Sequence, residues 1–344
     1  MKAPKISVIL ATARGDYPML GRPDTFIFEP TLRSLAAQTF REFEVIIVDA
    51  LQGSRPWSPE MAAFDRLPPI PWIAFPDSPW YRAGYIAISA PKNEAIRHCN
   101  APLVVSIDDC CEFGPDFLAT IWKLWRQRLL GTALVEHYRG GKQSDRDHRE
   151  HWIHGRQTMI QQAAGYTAFP LSAALEVNGY DEGFDGAKTL EDVDFSRRLQ
   201  MLGYRFALHR GLRVIEHEHG DVAPEAFPGP GNVARGDRSI KCNAVHQRIM
   251  VNRGTYRAND CPYTDEEWAL FGPPCGLYSG AGRCQLSPHP CNWLKTPGDP
   301  DGGSWIGADP SWPHVRDWLP VFDLREQWAE RRRRDGLSEE VPTR

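Results

Sequence analysis

The chain has 344 residues, a net charge of −4, and apolar (42%) and charged (24%) fractions that are ordinary for a globular protein. This charge excludes a global positive field that would draw the chain to nucleic acid or to an anionic membrane. The apolar stretch at residues 6–13 is far shorter than the ~20 residues that span a bilayer, and Arg14 follows it instead of a small-residue cleavage site. We therefore expect a cytoplasmic protein that does not span a membrane.

In the first half of the chain, apolar β-rich runs alternate with helical segments. The pattern predicts strands at 5–12, 43–50, 71–75, 103–109 and 132–138, and helices at 30–38, 91–100 and 113–130. Such alternation is typical of an open, mostly parallel α/β sheet flanked by helices, in which the ligand lies outside the carboxyl ends of the strands.

A polar segment rich in histidine and arginine, residues 139–160, separates these elements from a second group, and we interpret it as a surface loop near the active face. The second group comprises a strand, short helix and turn at 163–182, an amphipathic helix at 191–203, and strands at 204–209 and 212–217. After residue 221, glycine and proline become dense and periodicity is poor. We predict a catalytic domain over 1–221 and an irregular extension over 222–344 that packs against it or lies on the acceptor side.

The acidic pair Asp108–Asp109 ends one of the buried strands. Carboxylate oxygens are the ligands that Mg²⁺ and Mn²⁺ prefer, and such a cation can neutralise a diphosphate leaving group. A turn or a helix N-cap is the alternative explanation, because acidic pairs are common in turns.

A second acidic pair, Glu191–Asp192, opens the amphipathic helix. Carboxylates in the first helical turn often interact only with the helix dipole or cap the helix. The functional alternative is that one of them is a general base that deprotonates an acceptor hydroxyl. Asp194 is two residues further on, and we interpret it as structural.

The sequence HEH at 217–219 closes the last predicted strand. Alternation along a strand places His217 and His219 on the same face. Histidine is a common metal ligand, so the pair is a candidate metal site; two surface or hydrogen-bonded histidines are the alternative.

Taken in order, these fragments resemble the motifs of family 2 glycosyltransferases, which have the GT-A fold. The opening ISVILATAR is similar to the family's first strand and nucleotide loop, and FEVIIVD is similar to its second strand. PKNEAIRHCNAPLVVSIDDC resembles the stretch that contains the D-x-D motif, and NGYDEGFDGAKTLEDVDFSRRLQMLGYR resembles the most specific motif, which contains the catalytic ED pair. The resemblance covers roughly residues 4–220.

Residue by residue, the resemblance implies a nucleotide and diphosphate site formed by Thr12, Arg14, Asp49, Lys92, Asn93 and Asp108. It implies that Asp192 is the general base, with Glu191 beside it. It also implies a Mn²⁺ or Mg²⁺ site, with Asp109 and His217 as ligands and His219 as the second choice.

The sequence departs from the family pattern at Lys92, where the family usually has arginine, in the long loop at 15–29, and in the D-x-D motif. Cys110 stands where the family has the second aspartate of D-x-D. Because a soft cysteine sulfur is a poor ligand for Mg²⁺, either Asp109 binds the metal or metal binding is weaker or altered.

The implied activity is that of an inverting glycosyltransferase that moves a sugar from a nucleotide diphosphate sugar, most simply a UDP-sugar, to a hydroxyl. A saccharide, a protein hydroxyl, a small molecule and a hydroxymethylated base in DNA are open alternatives for the acceptor. Two other functions compete. A nucleotidyltransferase needs more glycine than ATARGDYPM offers, and Asp192 and His217 argue against a catalytically silent nucleotide- or carbohydrate-binding protein.

The eight cysteines fall into two groups, three in the first half of the chain and five in the last third, of which Cys242 is the first. We predict that Cys99, Cys110 and Cys111 are buried thiols, as in a reducing compartment. For four others, the alternatives are a structural Zn²⁺ site, unpaired buried thiols and disulfides, and the CxxC spacing typical of zinc sites is absent: Cys261, Cys275, Cys284 and Cys291.

Overall fold

A computed structural model describes residues 3–13, 18–19, 22–26, 29–52, 70–75, 87–139, 142–143, 166–185, 191–217, 249–269, 278–279, 283–284 and 321–343. Its strands are β1 (Ile6–Thr12), β2 (Pro18–Met19), β3 (Arg22–Phe26), β4 (Phe43–Asp49), β5 (Trp72–Ala74), β6 (Leu103–Ile107), β7 (Cys111–Phe113), β8 (Leu130–Arg139), β9 (Lys142–Gln143), β10 (Thr167–Pro170), β11 (Phe206–His217), β12 (Tyr278–Ser279) and β13 (Arg283–Cys284). Its helices are α1 (Glu29–Ala36), α2 (Ser89–Arg97), α3 (Phe117–Arg126), α4 (Leu171–Glu176), α5 (Glu191–Met201), α6 (Asp265–Ala269) and α7 (Leu324–Arg334), with a 3₁₀ turn at Glu182–Phe184.

Nine of these strands form one sheet, in the order β5-β4-β1-β6-β10-β8-β11-β7, with β9 paired to β8. Strands β5, β4, β1 and β6 run parallel to one another. The antiparallel pairs lie in the second half of the sheet, where β10 runs against β6 and β8. The predicted fold class, a Rossmann-like α/β sheet flanked by helices, is confirmed.

Strands β1, β4 and β6 form the centre of the parallel half because their sequences are almost continuously apolar, as expected for strands covered on both faces. The register pairs Thr12 with Asp49 and Leu10 with Ile107. The carboxyl ends of the three strands therefore meet at one edge of the sheet.

The second half of the sheet corrects two predictions. The strands expected at 204–209 and 212–217 are one strand, β11, with a register irregularity between Leu208 and Arg213. The helix expected at 113–130 begins only at Phe117, because residues 111–113 form the short strand β7 against β11.

Two parts of the C-terminal region belong to the core of the sheet domain. Leu324 and Trp328 of α7 are fully buried in the same hydrophobic cluster as the central strands. The side-chain amide of Asn178 donates to the carbonyls of Ala258 (2.5 Å) and Phe322 (2.8 Å) and accepts from the Leu324 N–H (2.6 Å). The domain boundary predicted near residue 222 lies outside the described residues.

Among the residues that the structure describes, no helix combines the length and the apolarity needed to cross a membrane. Most of the 139–160 segment lies outside the described residues, apart from β9, which extends the edge of β8.

Candidate active site at the carboxyl edge of the sheet

The strand ends bring three of the predicted site residues together. The Thr12 hydroxyl donates a 2.7 Å hydrogen bond to Oδ2 of Asp109, so the end of β1 is tied to the loop that follows β6. Both side chains are buried, and Asp49 is the register partner of Thr12 on the neighbouring strand. The carboxylates predicted to meet at this edge therefore do so.

Asp49 is oriented by groups on its own strand end and on the next strand. Its Oδ1 accepts the backbone N–H of Leu51 (2.9 Å), and its Oδ2 accepts the indole N–H of Trp72 on β5 (3.2 Å). Sequence reasoning did not select Trp72, since a tryptophan in a short strand is typical of core packing. Its position makes it a second side chain of the predicted nucleoside site.

A buried ion pair links the two helices that carry the predicted diphosphate and base residues. Nζ of Lys92, on the first turn of α2, lies 2.8 Å from Oε1 of Glu191, the first residue of α5, and each side chain is 7% exposed. The Lys92 ammonium also lies 5.0 Å from the centroid of the Tyr180 ring. Burial alone would lower the pKa of Lys92, but Glu191, Tyr180, Asp192 and Asp108 together raise it, so this residue is a fixed cation.

Asp192, next to this pair, has the electrostatics of a general base. Burial and the charge of Glu191 raise its pKa to about 7, while Lys92 and the Val193 N–H act in the opposite direction. The charge of Asp108 also raises it, which places that strand-end carboxylate in the same electrostatic environment. A base whose pKa lies near neutral pH is suited to take a proton during turnover.

Asn93, the neighbour of Lys92, is fully buried and faces a different group of atoms. Its amide donates to the carbonyl of Tyr180 (2.9 Å) and to Glu182 (2.9 Å), and it accepts the Tyr180 N–H (2.7 Å). Gly179 has a positive φ of 73°, and a Cβ there would collide with the Asn93 side chain. The contacts of Asn93 therefore hold the 178–182 turn onto α2, and its predicted ligand contact stays a prediction.

His217, at the end of β11, reaches the same region through the backbone. Its N–H donates to the carbonyl of Cys110 (2.9 Å), directly after the acidic pair, and its Nε2 lies 3.0 Å from Oε1 of Glu112. His219 and Arg14 lie outside the described residues. Within the described part of the chain, no three His, Cys, Asp or Glu side chains are grouped as a metal site. Asp108 and Asp109 are adjacent carboxylates, and carboxylate oxygens match a hard divalent cation in kind.

The cysteines of the first group are buried free thiols, as predicted. Burial, with the charge of Asp108, raises the pKa of Cys111 well above its ordinary value, so this thiol is not a reactive thiolate. In the second group, Cys261 is an exposed thiol that accepts from the Arg253 guanidinium (2.7 Å). The side chains of Cys275, Cys284 and Cys291 lie outside the described residues, so the predicted zinc site stays a prediction.

Asp185 is the most consequential residue that sequence reasoning missed. It is 1% exposed and accepts three backbone N–H groups at the start of α2, from Ile88 (2.8 Å), Ser89 (2.7 Å) and Ala90 (3.1 Å). No local pattern could reveal it, because its partners lie 95 to 97 residues away along the chain.

The basic run at residues 331–334 predicts a solvated helix end, with contact to an acceptor or to nucleic acid as the alternative. Arg331 and Arg332 instead hydrogen-bond to Asn100, and Arg332 stacks 4.9 Å from the Trp328 ring centroid. They contact the chain beyond the C-terminal end of α2, whereas Lys92 lies near its N-terminal end. These two arginines serve packing.

No family model and no curated protein sequence matches the chain. Among solved structures, residues 1–349 of S. aureus TarS in complex with UDP-GlcNAc are similar, with 15% identity, a TM-score of 0.47, and 63% of this chain covered against 60% of that chain. The UDP complex of TarS has 16% identity to this chain and a TM-score of 0.48, with 70% of this chain covered against 64% of that chain. This chain spans only 38% of a longer TarS structure. The mannosyltransferase PcManGT from Pyrobaculum calidifontis, in complex with GDP-Man and Mn²⁺, has 16% identity and a TM-score of 0.44, with 74% of this chain covered against 76% of that chain.

Proposed function

We propose that this chain is an inverting glycosyltransferase that moves a sugar from a nucleotide diphosphate sugar, with UDP-sugars as the first candidates, to an acceptor hydroxyl. The observation that carries the proposal is the Lys92–Glu191–Asp192 group. The Lys92 ammonium lies 2.8 Å from Glu191, and the neighbouring carboxyl of Asp192 has a pKa of about 7. The charge of the strand-end carboxylate Asp108 raises the pKa of both Lys92 and Asp192.

Each part of this group has a task in such a transfer. Asp192 accepts the proton of the acceptor hydroxyl while the hydroxyl oxygen forms a bond to the anomeric carbon. The bond from that carbon to the diphosphate oxygen breaks, and the nucleoside diphosphate leaves. Lys92 offsets negative charge on the leaving diphosphate. A single displacement needs one base and no carboxylate nucleophile, which matches a single carboxylate tuned to neutral pH in this group.

The nucleoside would lie at the strand ends. Asp49, held by Leu51 and Trp72, would accept N–H groups of the base, and Thr12 would lie beside it. Arg14 completes the predicted nucleotide set and belongs to the proposal only by its sequence position.

A divalent cation, Mn²⁺ or Mg²⁺, would be held by Asp108 and Asp109, with His217 as a further ligand and His219 as the alternative. When bound, such a cation neutralises diphosphate charge. The hydrogen bond from the Thr12 hydroxyl fixes the orientation of the Asp109 carboxylate at the end of β1.

We place the catalytic domain at residues 1–221, with α7 and the 249–269 segment packed against it, and the acceptor site with the remaining part of 222–344. A saccharide acceptor and a hydroxymethylated base in DNA are the two acceptors to test first. The proposed location of the enzyme is the cytoplasm.

The test is a nucleotide-release assay with a panel of UDP- and GDP-sugars, with Mn²⁺ or with EDTA, and with each acceptor class. We expect release from one donor in the presence of Mn²⁺, and a loss of about 10²- to 10⁴-fold in the Asp192→Asn variant. Tight UDP binding without turnover on any acceptor would instead indicate a silent binding protein. Release of pyrophosphate from a nucleoside triphosphate would indicate a nucleotidyltransferase.

A further inference from the structure

Helix α2 begins without a cap of its own. The residue before it, Ile88, has no side-chain hydrogen-bond acceptor, and no acidic residue lies in the first turn. The first N–H groups of a helix have no partner within the helix and need one when they are buried. Here Ser89 is fully buried, so a partner from elsewhere in the chain is required.

Asp185 supplies that partner from the loop that leads towards α5. Its Oδ1 accepts the N–H groups of Ile88 and Ser89, and its Oδ2 accepts that of Ala90. Lys92 follows two residues after Ala90, within about one helical turn. The direction of the Lys92 side chain towards Glu191 therefore depends on the turn that Asp185 fixes.

The same contacts change what the start of α2 can do for a ligand. The N-terminus of a helix is a common binding site for phosphate, because its N–H groups point outward and the helix dipole favours negative charge. At α2 three of these N–H groups are already bonded to a buried carboxylate. A donor diphosphate near this helix would consequently meet the Lys92 ammonium and not the backbone.

We propose that Asp185 is a positioning residue of the transfer reaction: it fixes the first turn of α2 so that Lys92 pairs with Glu191 beside Asp192. This inference rests on the proposed function for its kinetic test. Glu191, Lys92, the Val193 N–H and Asp108 all act on the pKa of Asp192, and of these Lys92 directly follows the turn of α2 that Asp185 holds.

The test uses two variants and one matched control in the full chain. Asp185→Ala removes all three N–H acceptors, and Asp185→Asn, which keeps the volume, removes the acceptor of the Ala90 N–H and is the safer variant for folding. Ser89→Ala lies on the same turn and keeps all three backbone bonds. The Ser89 hydroxyl is buried and has no hydrogen-bond partner among the described residues, so its removal leaves the turn intact.

The readout is the pH profile of kcat/KM, since loss of stability alone does not move its midpoint. Lys92 lowers the pKa of Asp192, so displacing Lys92 shifts the acidic limb to higher pH, by about one unit in Asp185→Ala and less in Asp185→Asn. We expect kcat/KM to fall about 10- to 100-fold in Asp185→Ala and less in Asp185→Asn. Ser89→Ala should match the parent protein in both quantities.

A parallel measurement separates this inference from the proposed function. Carbon-13 NMR titration of the Asp192 carboxyl reports the same shift without any substrate. An unchanged Asp192 midpoint in folded Asp185→Asn and Asp185→Ala proteins would overturn the positioning role. If the midpoint shifts but no variant, nor the parent protein, releases nucleotide from any donor, the positioning role stands and the proposed reaction is wrong.

Discussion

Helix α2 contacts a group of buried carboxylates at its N-terminal end and a buried tryptophan at its C-terminal end. At the C-terminal end, the Trp328 indole donates to the carbonyl of Cys99 (3.0 Å), and Arg331 reaches the carbonyl of His98 (3.4 Å). Cations near the last carbonyls of a helix are favoured by its dipole. These contacts at the C-terminal end stabilise the fold.

The N-terminal end is different, because several of its acids are held at raised pKa values. Burial and neighbouring charges raise the pKa of Asp192 to about 7, and burial raises that of Glu182 to about 7 as well. Ionising these groups at neutral pH costs folding free energy, yet it provides a base that titrates in the working range of an enzyme. Perturbed acids gather at functional sites for this reason. The contrast teaches that contacts at one end of a helix can stabilise the fold while the acids at its other end are tuned for proton transfer.

The largest expected effect on this comparison comes from removing the tryptophan at the C-terminal end. Trp328→Ala leaves a cavity in the core that α7 shares with α2 and α4, and we expect a loss of about 3–5 kcal/mol in the free energy of unfolding. Urea unfolding measures it. A loss below about 1 kcal/mol would mean that α7 is a dispensable appendage and not part of the core.

At the N-terminal end, Lys92→Met tests the buried ion pair. Breaking such a pair leaves the Glu191 carboxylate buried without its cation, at a cost of about 3 kcal/mol. The double variant Lys92→Met/Glu191→Gln should recover most of that stability, because neither charge remains, while nucleotide release stays abolished. Equal stability of the single and double variants would contradict a close pair.

Asp192→Asn should stabilise the protein, in contrast with its effect on activity. The folded pKa of about 7 lies above the ordinary value of 3.8, so the wild-type carboxyl is favoured in its protonated form in the folded state. The stability associated with that form is complete below about pH 4 and is lost as the pH rises through 7. The neutral amide of the variant does not lose this stability at high pH. We expect the variant to gain about 2 kcal/mol in the free energy of unfolding at pH 8, less than the full pKa difference would give, because Asp192 is only half-buried.

The pH dependence of that gain is its own control. Thermal unfolding of both proteins at pH 4 and pH 8 should show a difference only at pH 8. The same titration predicts that nucleotide release increases with pH up to about 7.5, since Asp192 must be deprotonated to act as a base. A variant that is less stable than the parent at pH 8 would show that Asp192 is ionised at little cost.

The sequence was sufficient to predict where the strand-end carboxylates of the candidate site lie, and their role stays a prediction. Apolar runs that end in Asp49 and in Asp108–Asp109 identify parallel strands, and parallel strands place their carboxyl ends at one edge. Pairing Lys92 with Glu191 required the fold, because the two residues lie 99 positions apart. Asp185 and Trp328 were missed for the same reason: each acts on α2 from far along the chain, and neither lies in a pattern with a local period.

The smallest predicted effect isolates one hydrogen bond at the C-terminal end of α2. Trp328→Phe keeps most of the packed ring but removes the N–H that donates to the Cys99 carbonyl, and that carbonyl is buried. We expect a loss of about 1 kcal/mol in the free energy of unfolding and no change in the pH midpoint of kcat/KM, since the affected end of α2 is about two helical turns from Lys92. A shifted midpoint would show that the two ends of α2 are not independent, because a disturbance at the tryptophan would then reach the Lys92–Glu191 pair through the helix itself.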